Sequence, residues 1–226
     1  MDIEQINAAA ERLAGWVIKT PILNSSILDS VANRHILLKP ECLQHTGSFK
    51  YRGAFSAISS LAEHARARGV IAFSSGNHAQ GIALAAAQHK CPSVIVMPRD
   101  APKLKIANTI KLGAELVLYD RVKESREEIA ACIAKKRGLT LIRPYDEPTV
   151  IAGQGTVGLE IADQALEYNI SNADVLVCCG GGGLTSGIAL SLEARSPGLR
   201  ARTCEPAGFD DTARSLEAGK ILSNKK

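Results

Sequence analysis

The stretch "VLVCCGGGGLTSGIALSLEA", Val175–Ala194, reads as an apolar strand, four consecutive glycines and then a helix. Four glycines in a row carry a large entropic cost in any ordered structure, so the run implies a close backbone approach to something. A helix start fronted by free N–H groups receives an anion, and phosphate is the usual occupant. The bland alternative is a flexible strand–helix loop.

Outward from this stretch the same alternation covers most of the chain. "GVIAF", "SVIVM", "AELVLY", "LTLI" and "LRARTC" read as strands, several apolar enough to be buried on both faces. Between them lie helical patterns. One starts at Phe49 and continues through Phe55, Ile58, Leu61 and Ala65 to Gly69. Others are "NHAQGIALAAAQHK", "APKLKIANTIKLG", "KESREEIAACIAKKRG", "TVGLEIADQAL" and "LTSGIALSLEARSPG". Gly69, Gly113 and Gly138 each stand where a helix should close. Strand–helix alternation of this kind predicts open, mainly parallel α/β sheets with helices on both faces. The turn-rich "RPYDEPTVIAGQG", Arg143–Gly155, interrupts the rhythm and marks a segment boundary. The chain stops at "LEAGKILSNKK", just after a strand and an incipient helix, so the expectation is a piece of a longer protein.

Composition excludes several classes. Of the 226 residues, 46% are hydrophobic and 22% charged, the balance of an ordinary globular protein. The net charge of +4 is spread along the chain, and "HARARG" and "AKKRG" end helical patterns, where cations complement the dipole. Nucleic acid is not an expected partner. No apolar run approaches the roughly 20 residues that cross a bilayer, and the acidic, amphipathic N-terminus is no secretory signal. The six cysteines form no C-x-x-C pair, which fits reduced, mostly buried thiols and a cytoplasmic location.

Which phosphate the glycine run would take is narrowed by spacing. No Gly-Lys-Ser/Thr follows it, so it is not a P-loop. The G-x-G-x-x-G/A dinucleotide pattern ends on Thr185 or Ser186, where Gly or Ala is required. Glu205 stands where an adenosine ribose could be bound, so a dinucleotide is the runner-up. A compact monophosphate suits four glycines better.

A second helix mouth lies in "AFSSGNHAQG", Ala72–Gly81, where Ser74, Ser75, Gly76 and Asn77 follow a strand. Ordinary capping by Ser or Asn explains that turn equally well. The third element is "HTGSFKYRGA", His45–Ala54, which sets Lys50 between Phe49 and Tyr51 at a helix start. A dipole's positive end and apolar cover both disfavour an ammonium, and a neutral amine forms Schiff bases with carbonyls. Pyridoxal phosphate needs such an amine, a phosphate cup and a group for its phenolate oxygen. An amino-acid substrate adds a carboxylate to be bound.

"TGSFKYRGA", "SSGNHAQG", "GQGTVGLEIADQ", "GGGGLTSGIA" and "EPAGFDD", in this order, resemble the serine/threonine dehydratase and serine racemase branch of the tryptophan-synthase-β-like pyridoxal-phosphate enzymes. The resemblance runs from about Thr20 to the end of the chain and implies fold type II. A larger domain would comprise residues 1–62 and 148–226, incomplete at its C-terminus, with a smaller one at 69–147. It implies that Lys50 holds the cofactor through a Schiff base and then takes the Cα proton. Phe49 would pack near the cofactor ring and Asn77 would bond its phenolate oxygen. Gly180, Gly181, Gly182, Gly183 and Leu184 would cradle the phosphate. Ser74, Ser75, Gly76, Asn77 and His78 would receive the substrate carboxylate, with Ser75 as a second acid/base. Glu205, the Phe209 carbonyl and Asp211 match the branch's loop for Mg²⁺, Mn²⁺ or Ca²⁺, against the simpler reading that Asp210 or Asp211 caps a helix.

The implied reaction converts a β-hydroxy amino acid such as L-threonine or L-serine into a 2-oxo acid and ammonia, in a homodimer of the full-length form. Serine racemase and 3-hydroxyaspartate dehydratase are the enzyme alternatives. An inactive, truncated binding remnant is the alternative from another class.

Overall fold

The computed structural model describes residues 1–224. Chain order gives α1 Ile3–Leu13, β1 Leu23–Asn24, α2 Ser26–Ala32, β2 Leu37–Leu38, α3 Lys50–Ser59 and α4 Glu63–Arg68. Next come β3 Val70–Phe73, α5 Asn77–Gln88, β4 Ser93–Pro98, α6 Lys103–Lys111, β5 Glu115–Tyr119, α7 Arg126–Arg137 and β6 Thr140–Leu141. The rest is α8 Pro148–Glu167, β7 Ala173–Cys178, α9 Gly183–Arg195, β8 Leu199–Cys204 and α10 Asp211–Ala218. This is an α/β fold with parallel sheets, as the alternation predicts. Contacts group the chain into two units: Met1–Arg12 with Arg143 onward, and Leu13–Ile142.

In the Leu13–Ile142 unit a four-stranded parallel sheet has the order β5-β4-β3-β6. Every residue of β3 and β4 is buried because helices cover both faces. Ile71, Phe73, Val94 and Val96 face Ala130 and its neighbours on α7. The opposite face packs on α5, whose alanines let it lie close. α3 is anchored by a buried ion pair ahead of it. The fully buried Arg52 donates from Nε to Glu41 Oε2 and from Nη2 to Glu41 Oε1, both at 2.8 Å. Thr20 adds a hydroxyl donor to the same carboxylate at 2.8 Å.

The single helix expected from Phe49 to Gly69 is broken. Ser59 and Ser60 turn their hydroxyls back onto the Ser56 and Ala57 carbonyls, and Ala62 has ψ 149, outside the helical region. The helix resumes as α4 and closes at Gly69, whose φ is +110.

In the other unit β7 and β8 pair in parallel from Ala173↔Leu199 to Cys178↔Cys204. Val157, Ala162 and Ala165 of α8 pack with Ile188 and Leu192 of α9 and with Val177 and Leu199 of the sheet. α8 starts eight residues before the expected Thr156, at Pro148, which suits a first helical turn. Its Gly155 reads as a turn residue but serves packing, a Cβ there meeting Ile6 Cδ1 at 2.8 Å and the Gly187 carbonyl oxygen of α9 at 3.1 Å. A Cβ at Gly187 would lie 2.6 Å from the Ile151 carbonyl oxygen, so α8 and α9 touch backbone to backbone there.

Among the described residues no helix is long and apolar enough to cross a membrane. All six cysteines are free, but Cys42, Cys132, Cys178 and Cys204 are exposed, so the expectation of mostly buried thiols fails. β7 and β8 each present one face outward, which puts Cys178 and Cys204 on the wet side.

Candidate active site

Lys50 is the first residue of α3, and its Nζ lies 5.3 Å from the centroid of the Phe49 ring. Tyr51 turns the other way, into the core, where its hydroxyl donates to Gln88 Oε1 at 2.6 Å. Burial pushes that phenol's pKa up to about 12, so it stays protonated. Lys50 thus opens α3 with its Nζ over the Phe49 ring while its neighbour's phenol is committed to the core. The approach is strained. Thr46 has φ +59, unusual for a β-branched residue, and the buried Thr46 and Ser48 hydroxyls have no hydrogen-bond partner.

α5 begins against this point. A Cβ at Gly81 would come within 3.2 Å of the Lys50 carbonyl carbon and oxygen, so any side chain there would push α3 away. The α5 mouth has no side-chain cap. Ser74 Oγ instead accepts from the Gly76 N–H at 3.1 Å, folding the turn on itself. The first helical bond runs from the Gln80 N–H to the Gly76 carbonyl, which leaves the preceding amides pointing outward. Ser75 and Asn77 are exposed on this turn, and Gly76 and His78 are buried. The capping explanation of the turn is thus not realised, and an anion-ready mouth remains.

His78 is fully buried. Burial, then the charge of Lys50, push its pKa down to about 3, so the ring is neutral. Its Nε2 lies 3.2 Å from the Ile142 carbonyl, and its Nδ1 is buried without a partner. Lys50, Ser74, Ser75, Gly76, Asn77 and His78 are therefore gathered within one unit.

The glycine loop belongs to the other unit. Gly182 has φ +79 and caps α9 with no side chain, and the first helical bond runs from the Ser186 N–H to the Gly182 carbonyl at 2.8 Å. The amides of Gly183, Leu184 and Thr185 precede that bond. Leu184 packs its side chain on the core. Tyr145 dictates the glycines: a Cβ at Gly181 would lie 2.1 Å from its Cγ, and one at Gly183 2.7 Å from its carbonyl oxygen. A Cβ at Gly180 meets nothing within 4 Å. Thr185 Oγ1 is buried at this mouth without a partner. In this unit, bare helix amides, open space and an orphaned hydroxyl fit a phosphate group; the other unit separately holds the orphaned Thr46, Ser48 and His78 atoms near the start of α3 and α5.

Sequence reasoning missed two residues of these mouths. One is Tyr145, hidden in a stretch read only as a turn. The other is Lys105 on α6, whose ammonium donates to Asn77 Oδ1 at 3.1 Å. A lysine on an amphipathic helix gives no signal of such a role.

Glu205 accepts the Thr212 N–H at 3.0 Å and the Ala213 N–H at 2.9 Å, bridging to the start of α10. Asp211 Oδ1 accepts from Asn224 Nδ2 at 2.8 Å, and the Phe209 ring is exposed. Among the described residues no three His, Cys, Asp or Glu side chains are grouped for a metal ion. Burial would raise the Glu205 pKa, but the Ala213 and Thr212 amides outweigh it and hold the carboxyl below its usual range.

Comparison with known proteins points the same way as these mouths. The sequence profile described as "Pyridoxal-phosphate dependent enzyme" matches residues 13–226. The L-threo-3-hydroxyaspartate ammonia-lyase of Pseudomonas sp is 48% identical over 214 residues, 95% of this chain and 66% of that protein. The serine racemase of Arabidopsis thaliana is 41% identical over 222 residues, 98% of this chain and 66% of that protein. The structure of maize serine racemase superposes with a TM-score of 0.92 at 39% identity, covering 98% of this chain and 66% of that one. The chain spans 66% of the length of each of the two curated relatives.

Proposed function

Because the chain belongs to the pyridoxal-phosphate-dependent enzymes of the serine/threonine dehydratase and serine racemase family, we propose that it is the cofactor-binding part of an ammonia-lyase for β-hydroxy amino acids. L-Threonine and L-serine are the proposed substrates, and 3-hydroxyaspartate is the alternative from the relative that is 48% identical. The observation that carries this reading is the packing of Lys50 on the first turns of α5. It sets the start of α3, which carries Lys50, against the helix that opens from the bare Ser74–His78 turn, within one contact unit.

Pyridoxal phosphate, when bound, supplies an aldehyde for amines and a ring that takes up the electron pair left on Cα. In the proposed roles the amides of Gly180–Gly183 and Leu184 receive its phosphate. Phe49 would pack near its ring, and Asn77 would donate to its phenolate oxygen. The turn Ser74–His78 takes the substrate carboxylate through backbone N–H groups. Lys50 would hold the cofactor through its Nζ, and the same amine, once freed, would be the base for the Cα proton. The β-hydroxyl leaves as water, and one water returns on hydrolysis, giving a 2-oxo acid and ammonia. Neutral His78 beside Lys50 adds no second positive charge there, so it does not compete for the substrate carboxylate or the cofactor.

A racemase reading is favoured by one observation: Ser75 is exposed on the carboxylate-receiving turn, where an acid/base for the second face of Cα is needed. Borohydride reduction in the presence of pyridoxal phosphate should fix a pyridoxyl group on Lys50. The label on another lysine, or none, would count against the whole assignment and leave the inactive-remnant reading. Product analysis from L-serine, L-threonine and 3-hydroxyaspartate, with chiral separation, distinguishes the activities.

The remaining roles belong to the same proposal. We assign the working enzyme to the cytoplasm as a homodimer of the full-length form, with domains 1–62 plus 148–226 and 69–147. That partition differs from the contact units, which group residues 13–62 with the central sheet. A divalent cation at Glu205, Asp211 and the Phe209 carbonyl is supported by the hard carboxylate oxygens that Glu205 and Asp211 bring to the start of α10. Addition of Mg²⁺, Mn²⁺ or Ca²⁺ should raise the melting temperature, and no response to any of them would remove the cation from the scheme.

A further inference from the structure

Asn77 is exposed on the α5 mouth, yet its side chain is fixed from one side. The Lys105 ammonium donates to its Oδ1 at 3.1 Å. A Cβ at Gly76 would lie 2.8 Å from the same Nζ, so the cation stands directly over the turn. A separate bond joins α6 to α5 one turn further along. There Asn108 Nδ2 donates to Gln80 Oε1 at 3.2 Å, and the fully buried Thr109 returns its hydroxyl to the Lys105 carbonyl at 2.8 Å.

An ammonium has donors and no acceptor, so only the oxygen edge of an amide can face it. The NH₂ edge of Asn77 is thereby turned away from Lys105 as a donor. A flipped amide would present an acceptor on that edge and repel any anionic oxygen. The nearby positive charge also polarises the amide and strengthens the donation from its far edge.

We propose that Lys105 is a positioning residue that fixes the donor edge of Asn77 toward the phenolate oxygen of the cofactor. This rests on the pyridoxal-phosphate reading given above and assigns a role to a residue outside the glycine loop, the lysine and the Ser-Gly-Asn turn.

The test titrates pyridoxal phosphate into the wild-type chain and into Lys105→Met, Lys105→Arg and Asn108→Ala, following the visible absorbance of the bound cofactor across pH. Borohydride trapping on Lys50 is run in parallel. Lys105→Met should bind the cofactor about fivefold to tenfold more weakly, the loss of one partly exposed charged hydrogen bond. Its absorbance should also titrate at a different pH. Lys105→Arg, which again offers only donors, should recover most of both. Asn108→Ala breaks the other α5–α6 bond without touching Asn77, and should leave affinity and titration unchanged. Equal affinity in wild type and Lys105→Met overturns the proposal. So does an equal loss in Asn108→Ala, which would assign the effect to helix docking. Absence of trapping on wild-type Lys50 overturns the cofactor reading itself, and the positioning role with it.

Discussion

His78 donates its Nε2–H to the Ile142 carbonyl at 3.2 Å and leaves Nδ1 buried without a partner, so its ring is a neutral imidazole of fixed tautomer. Burial first, and the Lys50 charge second, hold its pKa down at about 3. In the unfolded chain a histidine titrates near 6.5. Between these values the unfolded state takes up a proton that the folded state refuses. Stability from this group is therefore complete above about pH 6.5 and is lost as pH falls toward the folded value. The expected loss between pH 7 and pH 5 is about 2 kcal/mol from this one residue. Urea unfolding at both pH values should show it in wild type and show a correspondingly flatter dependence in His78→Gln. An equal pH dependence in the two proteins would mean that His78 accepts its proton while folded.

The Arg52–Glu41 pair predicts an asymmetric mutational response. Arg52 is fully buried, and Glu41 supplies both carboxylate oxygens to it at 2.8 Å. Glu41→Ala leaves a guanidinium in the core without its counter-charge, at a cost of about 3–5 kcal/mol. Replacing both, as Glu41→Leu with Arg52→Met, should restore much of that stability because no buried charge is left behind. Denaturant melts of the three proteins check it. A double variant no more stable than Glu41→Ala would show that the pair's worth lies in its shape rather than its charge.

These anchors explain which parts of the molecule could be read from the chain. β3 and β4 were legible because parallel strands covered on both faces must be apolar throughout. Gly69, Gly113 and Gly138 were legible because each adopts a positive φ after a helix. The first turns of α8 were not, since Gly155 signals a turn locally and helix–helix contact only in three dimensions. The break between α3 and α4 depends on two serine hydroxyls choosing nearby carbonyls, a competition too even to settle from sequence. Lys50 could be singled out by its odd neighbours, whereas Lys105 and Tyr145 act through contacts with residues 28 and 36 positions away, which no local pattern encodes.

Tyr145 makes the glycine loop testable without any ligand contact being assumed. Its ring occupies the place where a side chain at 181 would go, with Cγ 2.1 Å from that Cβ. Gly181→Ala should therefore destabilise the protein by about 1–3 kcal/mol through overpacking and weaken pyridoxal phosphate binding with it. Adding Tyr145→Ala opens the space, and the double variant should regain stability relative to Gly181→Ala alone. Thermal melts and cofactor titration of the single and double variants decide the matter. If Tyr145→Ala gives no relief, the tyrosine ring is not what excludes a side chain at 181.

Ser75 separates the two activities proposed for this site. Elimination of a β-hydroxyl needs one base at Cα, the role given to Lys50. Racemisation also needs a proton returned to the opposite face, and a positioned acid of that kind is worth roughly 10²–10⁴ in rate. Ser75 is exposed on the α5 mouth, between Ser74, which is tied to the Gly76 amide, and that glycine itself. Ser75→Ala should lower D-serine formation from L-serine by about a hundredfold or more while changing 2-oxo acid formation by less than about tenfold. Chiral chromatography and a 2-oxo acid assay on the same reaction mixture measure both rates. Equal losses in the two would make Ser75 a part of carboxylate binding common to both reactions, and no loss in either would remove its hydroxyl from the chemistry.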